Sequence, residues 1–255
     1  MNDKGAFRYK RILDLFTEER SVWTVAELSA QLGTAVSTLY RQVSELVAIG
    51  FLEGTVDAQY RLGPAFVEFE RRARRTDPLI LAGEFVLNTL VSDIGVECSV
   101  LLARLYGNKV MCVADAHSQG MMLKSSFERG LPMPLERSAT ARAALSAMDS
   151  RRLRRLLERE TELSGDRLKK YQSELFQIRK DGYWIAESEV DLGAVAIATP
   201  VANRRLGVEA SLTVVSRAKD LQVVERPAVA RRLKVAAREI EAFLESQAVT
   251  LSQNG

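Results

Sequence analysis

TVAELSAQLGTAVSTLYRQVSELVAI, Thr24–Ile49, reads as two short helices joined by a tight turn. Thr24 and Glu27 have the spacing of a capping box, in which the hydroxyl accepts from the amide three residues on and the carboxylate reaches back. Val25, Leu28 and Leu32 share one face of the first helix, Val25 to Leu32. Gly33 then ends it, where left-handed backbone costs a glycine nothing. Thr34 is placed to cap the second helix. Along that helix Val36, Leu39, Val43 and Leu46 recur at helical spacing and are expected to point inward. Ser37, Thr38, Arg41 and Ser44 take the opposite face, with Tyr40 at its edge. Hydroxyls and a guanidinium on a short exposed helix face suit phosphates and base edges in a DNA major groove. The candidate DNA-binding residues are therefore Thr34, Ser37, Thr38, Tyr40, Arg41 and Ser44.

A helical pair inside a larger core would share this pattern, and the continuation separates the two readings. Gly50-Phe51-Leu52 leaves the second helix in extended form, Glu53 to Asp57 makes a polar tip, and Ala58 to Leu62 returns. Two short strands after a recognition helix make the wing of a winged helix. Upstream, Tyr9 to Glu19 reads as a first helix carrying Ile12, Leu13, Leu15 and Phe16.

Beyond the wing, Pro64 fits the first turn of a new helix that runs through Phe66, Val67 and Phe69 into Arg71–Arg75. Those arginines are open to two readings, phosphate contacts or a solvated linker face. Thr76-Asp77-Pro78 punctuates the chain, and Leu79 to Ser92 follows as a helix. The period then changes. Val96 to Leu105 and Lys109 to Ala114 read as strands joined at Tyr106-Gly107-Asn108, with Leu123 to Phe127 as a further strand. Helices are expected over Ser138–Ala147, Ser150–Glu160, Leu168–Asp181 and Pro227–Ser246, and strands over Ala194–Val201 and Val208–Val215. The whole is α+β: an N-terminal winged helix-turn-helix (1–63), a linker helix (64–76) and a C-terminal domain (77–255) with an antiparallel sheet and flanking helices.

Composition bounds the function. At 255 residues, 47% hydrophobic and 27% charged, the chain has the make-up of a soluble globular protein of up to two domains. No run approaches the roughly 18 apolar residues of a membrane span, and MNDKGAFRYKR lacks the apolar centre of a signal peptide. A cytoplasmic location with no membrane partner is the expectation. Residues 1–75 carry 11 Lys and Arg against 10 Asp and Glu, so the case for DNA rests on where charge sits. Cys98 and Cys112 read as buried thiols. With His117 as the sole histidine, no metal cluster, cofactor or catalytic residue is expected.

Two other function classes compete. One is an enzyme with a helical appendage. Its triad would have to use His117, which reads as a surface loop residue without a Gly-x-Ser-x-Gly elbow or partner motif. The other is a helical interaction protein, which has no need of a wing.

Four blocks in order resemble the IclR family of bacterial transcriptional regulators from about Phe7 to Phe243. They are LSAQLGTAVSTLYRQVSEL, YRLG at Tyr60–Gly63, RGLPMPLERSATARAAL at Arg129–Leu145, and IRKDGYWIAESEVDLGAVAIATPV at Ile178–Val201. The resemblance implies a winged helix, a linker helix and an effector domain similar to a GAF domain. It also implies dimers through the DNA-binding part, tetramers through the effector domains, and control of catabolic operons by small metabolites. Several positions depart from the family pattern: Ala141 replaces a glycine, Glu136 a histidine, Ala196 a cysteine and Ala186 a ligand-binding acid.

Ser138, Ala139, Thr140 and Ala141 begin a helix of small residues. Its free amides suit a carboxylate, while the small side chains suit close helix–sheet packing equally well. The resemblance implies that this helix start faces the effector, opposite Ala194, Ala196, Thr213 and Val215; Met121, Met122 and Phe127, just before the helix, read either as a cover over the ligand or as ordinary core. Alanines at the usual cysteine and acid imply a wider, less polar pocket and an organic or aromatic acid as effector.

Overall fold

The computed structural model describes residues 5–120, 126–160 and 162–253, and the contacts divide the chain into two compact units on either side of Arg75–Thr76. In the N-terminal unit the elements run α1 (Phe7–Leu13), β1 (Trp23–Thr24), α2 (Val25–Leu32), α3 (Val36–Ala48), β2 (Leu52–Gly54), β3 (Gln59–Leu62) and α4 (Ala65–Thr76). Ile12, Leu28, Leu39, Val43, Leu46 and Leu52 are buried together as the core. β3 pairs antiparallel with both β1 and β2, which makes the wing a three-stranded sheet.

Several expectations change here. The first helix stops at Leu13 instead of reaching Glu19. Leu15 and Phe16 continue in tighter turns, and the Trp23 indole donates to the Leu15 carbonyl at 2.8 Å, so Phe16 enters the core from outside the helix. Val36 opens α3 and is exposed, because the helix meets the core only from Leu39 onward. Thr34 does not cap α3. The residue before that helix is Ala35, and the Thr34 hydroxyl points back to the Leu32 carbonyl at 3.5 Å.

The capping box of α2 is formed. Thr24 Oγ1 accepts from the Glu27 amide at 3.2 Å, and Glu27 Oε2 accepts from the Thr24 amide at 2.8 Å. Gly33 follows at φ 63°. Gly63 is required for a different reason. A β-carbon there would lie 2.2 Å from the Gly50 carbonyl oxygen, where the chain doubles back and α4 begins. Phe66 and Phe69 of α4 close on Phe51, with ring centroids 5.0 and 5.8 Å away.

The C-terminal unit runs α5 (Pro78–Ile94), β4 (Cys98–Tyr106), β5 (Lys109–His117), β6 (Pro132–Pro134), α6 (Ala139–Ser146), α7 (Ser150–Glu160), α8 (Gly165–Asp181), β7 (Trp184–Glu187), β8 (Ala194–Asn203), β9 (Val208–Arg217) and α9 (Arg226–Gln253). Its six strands pair antiparallel in the order β6-β5-β4-β9-β8-β7. α5 and α9 cover one face, and α6, α7 and α8 contribute the core on the other.

The edge strands β6 and β7 had no signal in the periodicity. β6 is bounded by two prolines, which only an edge tolerates, and β7 is four residues long. Leu123–Ser125 of the expected third strand lie outside the described residues, and Ser126–Phe127 is not strand. A bulge opposite Leu102/Ala103 inserts Val113 and changes which residues of β5 face which way. Cys112 packs with the α6 core, Ala114 and Ala116 with the α5–α9 core. Both cysteines are buried and free, and desolvation raises the Cys112 thiol to about 12. No helix among the described residues is long and apolar enough to cross a membrane.

Candidate functional site: an exposed helix face and a cavity at the start of α6

Ser37, Tyr40, Arg41 and Ser44 are exposed and spaced along one face of α3, while Thr38 is half-buried beside them. The turn that aims this face is pinned by Ser29 of α2, whose hydroxyl donates to the Thr34 carbonyl at 2.6 Å. Arg72 and Arg74 of α4 are engaged along their own helix with Glu68 and Glu70, which favours the solvated-linker reading for those two.

In the C-terminal unit a cavity forms where α6 begins. It is lined by Phe127, Ser138, Ala139, Thr140, Ala186, Ser188, Glu189, Val190, Asp191, Ala194, Ala196 and Val215. The expected residues Ala141 and Thr213 do not line it. Ala141 sits in the helix–sheet core, and Thr213 is fully buried with its hydroxyl 3.1 Å from that of Thr140. Met121 and Met122 lie outside the described residues. Free space amounts to about 30 Å³, room for a water or two. Ala186 and Ala196 give the wall apolar surface, and the wider pocket expected from them is not found.

Ser138 carries the start of the helix. Its hydroxyl accepts from the Ala141 amide at 3.1 Å, and its backbone sits at φ 91°, ψ 144°, a strained conformation for a residue with a side chain. Helical geometry leaves the amides of Ala139 and Thr140, both in the cavity wall, without intrahelical acceptors.

Two carboxylates in the wall are already engaged. Asp191 accepts from the backbone amide of Ser126 at 3.1 Å and from its hydroxyl, tying the segment before α6 to the loop after β7. Glu189 accepts from Arg142 at 2.8 Å. The Arg142 guanidinium also donates to Glu174 of α8 at 2.8 Å and lies over the rings of Tyr171 and Trp184. Burial opposes its charge, but the Glu174 hydrogen bond and the Glu189 charge outweigh that and hold its pKa above the usual value. Sequence reasoning passed over Glu189, Asp191 and Ser188, because a loop after an unrecognised strand shows no periodicity.

His117 corrects another expectation. It ends strand β5 instead of lying in a loop, and two partners flank it: Ser99 Oγ at 2.8 Å from Nδ1 and Asp115 Oδ2 at 2.7 Å from Nε2. The bulge at Val113 puts Asp115 and His117 opposite Leu101 and Ser99. Ser99 is 1% exposed.

The family model of the IclR helix-turn-helix domain matches residues 7–55, and that of the bacterial transcriptional regulator IclR C-terminal domain matches residues 79–242. The chain belongs to the IclR family. Like the other members it is a transcriptional regulator with a helix-turn-helix DNA-binding domain and an effector-binding C-terminal domain. It is 25% identical to the HTH-type transcriptional regulator KipR of Bacillus subtilis, over 93% of this chain and 96% of that one. The fold is similar to an IclR transcriptional regulator from Alicyclobacillus acidocaldarius, with a TM-score of 0.75 and 23% identity over 92% and 96% of the two chains. It is also similar to an IclR homologue from Microbacterium hydrocarbonoxydans complexed with 4-hydroxybenzoate. There the TM-score is 0.75 and the identity 20%, over 94% and 98% of the chains.

Proposed function

We propose that this IclR-family regulator reads its operator with Ser37, Thr38, Tyr40, Arg41 and Ser44 of α3, and Thr34 before it, and answers to an aromatic or other organic acid held at the start of α6. The observation that carries the effector reading is the wall of Ala139, Ala186, Ala194, Ala196 and Val215 beside two amides that lack intrahelical acceptors. Those amides receive the carboxylate, and the apolar wall receives the ring. A ring exceeds the 30 Å³ of free space, so binding moves Phe127 or the Ser126–Asp191 tie outward. The similar fold that holds 4-hydroxybenzoate supports the same class of ligand.

The working species is a symmetric homo-oligomer, at least a dimer, with Phe66, Val67 and Phe69 of α4 exposed for the contact. Catalysis is not part of the function. Ser99 beside His117 is buried too deeply to attack a substrate, so the Ser99–His117–Asp115 set serves as a cross-strand tie.

The test is a gel shift on the intergenic region upstream of the gene, with calorimetry of 4-hydroxybenzoate, benzoate and glyoxylate. Retarded DNA that is released by an aromatic acid is the expected result. Heat from glyoxylate alone would overturn the effector assignment. Sedimentation showing a monomer on its DNA would overturn the oligomer.

A further inference from the structure

A second feature of the N-terminal unit lies outside the exposed face of α3. A cleft of about 240 Å³ opens between α1, the α2–α3 turn and α3, lined by Arg8, Arg11, Thr34, Thr38, Arg41 and Gln42. Three guanidinium groups and two hydroxyls meet there; among the described residues no carboxylate lines it, and Glu45 stands just behind, 4.0 Å from Arg8 Nη2. This concentration is notable because residues 1–75 balance 11 cationic against 10 acidic side chains.

The arginines are held in place from behind. Arg8 Nη2 donates to the Tyr9 hydroxyl at 2.6 Å, and that hydroxyl in turn donates to Glu45 of α3. Arg8 Nε is buried without a hydrogen-bond partner, a donor left over after the local bonds are made. Arg11 reaches the Leu32 carbonyl at the end of α2, at 3.3 Å. A polar cleft lined by three guanidinium groups suits an anion. The cleft lies at the edge of the candidate recognition face, since Thr34, Thr38 and Arg41 belong to both.

We propose that Arg8 and Arg11 of α1, together with Arg41, clamp one DNA phosphodiester beside the recognition helix and set its register on the duplex. The proposal rests on the DNA-binding reading and extends it to a helix that the motif does not include. Phosphate contacts position a protein without reading sequence. The clamp therefore contributes equally to operator and random DNA, whereas a base contact from α3 separates the two.

Binding of full-length protein to a fluorescein-labelled 30-base-pair duplex of random sequence, followed by anisotropy across a KCl series, tests this. Arg8→Gln/Arg11→Gln is expected to weaken binding about tenfold and to make the logarithmic salt slope shallower by about 0.9 per bound subunit. Arg8→Lys/Arg11→Lys keeps both charges and is expected to retain most of the slope. Circular dichroism melts show whether each variant is folded, and the single variant Arg11→Gln carries the test if the glutamine pair is not.

A folded glutamine variant with wild-type affinity and slope overturns the clamp and leaves DNA binding standing. A lysine variant whose slope falls by about 0.9, the same as the glutamine variant's, also overturns it, since charge would then not be what matters. Wild-type protein that binds no duplex removes the DNA reading and the clamp with it. Stabilisation of the melt by millimolar inorganic phosphate, with an unchanged DNA slope in the glutamine variant, assigns the cleft to a free anion instead.

Discussion

Arg41 stands in both proposals, on the face offered to base edges and in the phosphate clamp, and its substitution separates the two roles. It is exposed one helical turn beyond Ser37 and one before Ser44. Arg41→Ala is expected to weaken operator binding by about 1–3 kcal/mol if it meets a guanine edge, with relaxed specificity at that base pair. Equal affinity for all single-base operator variants, before and after substitution, would place it on phosphate alone. Thr24 and Glu27 set the aim of α2. Thr24→Ala is expected to cost the N-terminal unit about 1 kcal/mol, measured by urea melts. The Glu27 carboxylate is held below its ordinary value, first by the Thr24 amide. A lowered folded pKa means that the cap's contribution is present above the unfolded glutamate value and fades as pH falls through the folded one. Melts between pH 3 and pH 6 should show that fading in wild type and less of it in Glu27→Gln.

At the scale of elements, α6 is the part whose placement depends most on side chains from elsewhere. Arg142 bridges α6 to Glu174 on α8 and to Glu189 in the loop at the cavity, with its side chain 10% exposed. Arg142→Met keeps the apolar stem over Tyr171 and Trp184 but leaves two acids facing each other. The expected loss is about 3 kcal/mol, the low end for a broken buried pair because Glu189 keeps some water. A thermal shift of the full chain measures it, and Arg142→Lys should recover part. Stability unchanged in Arg142→Met would mean that solvent already carries the two carboxylates. The wing shows the same dependence in its backbone. Gly63 meets the Gly50 carbonyl because α4 must start where α3 has just ended.

At the scale of the whole molecule, the proposed function requires coupling between the cavity in one unit and the α3 face in the other. A ligand shifts DNA affinity only by the difference in its affinity for the binding-competent and incompetent states. α4, Ala65–Thr76, is the covalent connection between the units. Ala196→Val adds two methyl groups to a cavity of about 30 Å³. It is expected to abolish effector heats in calorimetry and effector release in gel shifts, while DNA binding without effector stays within about threefold, because Ala196 belongs to the C-terminal unit and the α3 face to the N-terminal one. Loss of DNA binding in the folded variant would instead locate the effector-free state's own packing at Ala196.

Most of this architecture was legible from local chemistry. The capping box, Gly33, the spacing of Leu39, Val43 and Leu46, and the helix–strand alternation each follow from interactions within a few residues, so a linear reading suffices. Tertiary structure decided what depends on partners far along the chain. Phe16 enters the core although its helix has ended. Val113 slips a register and thereby turns Asp115 and His117 toward Ser99. Thr213 spends its hydroxyl on Thr140, and Glu189 and Asp191 arrive at the cavity on a loop without periodicity. Arg8 and Arg11 carry no local signal, and only the packing of α1 beside the α2–α3 turn brings them into one cleft with Arg41. Sequence determines local conformation through short-range sterics and hydrogen bonds. Which side chains meet across dozens of residues is set by the packing of whole elements, where a single bulge or helix end redirects every side chain after it.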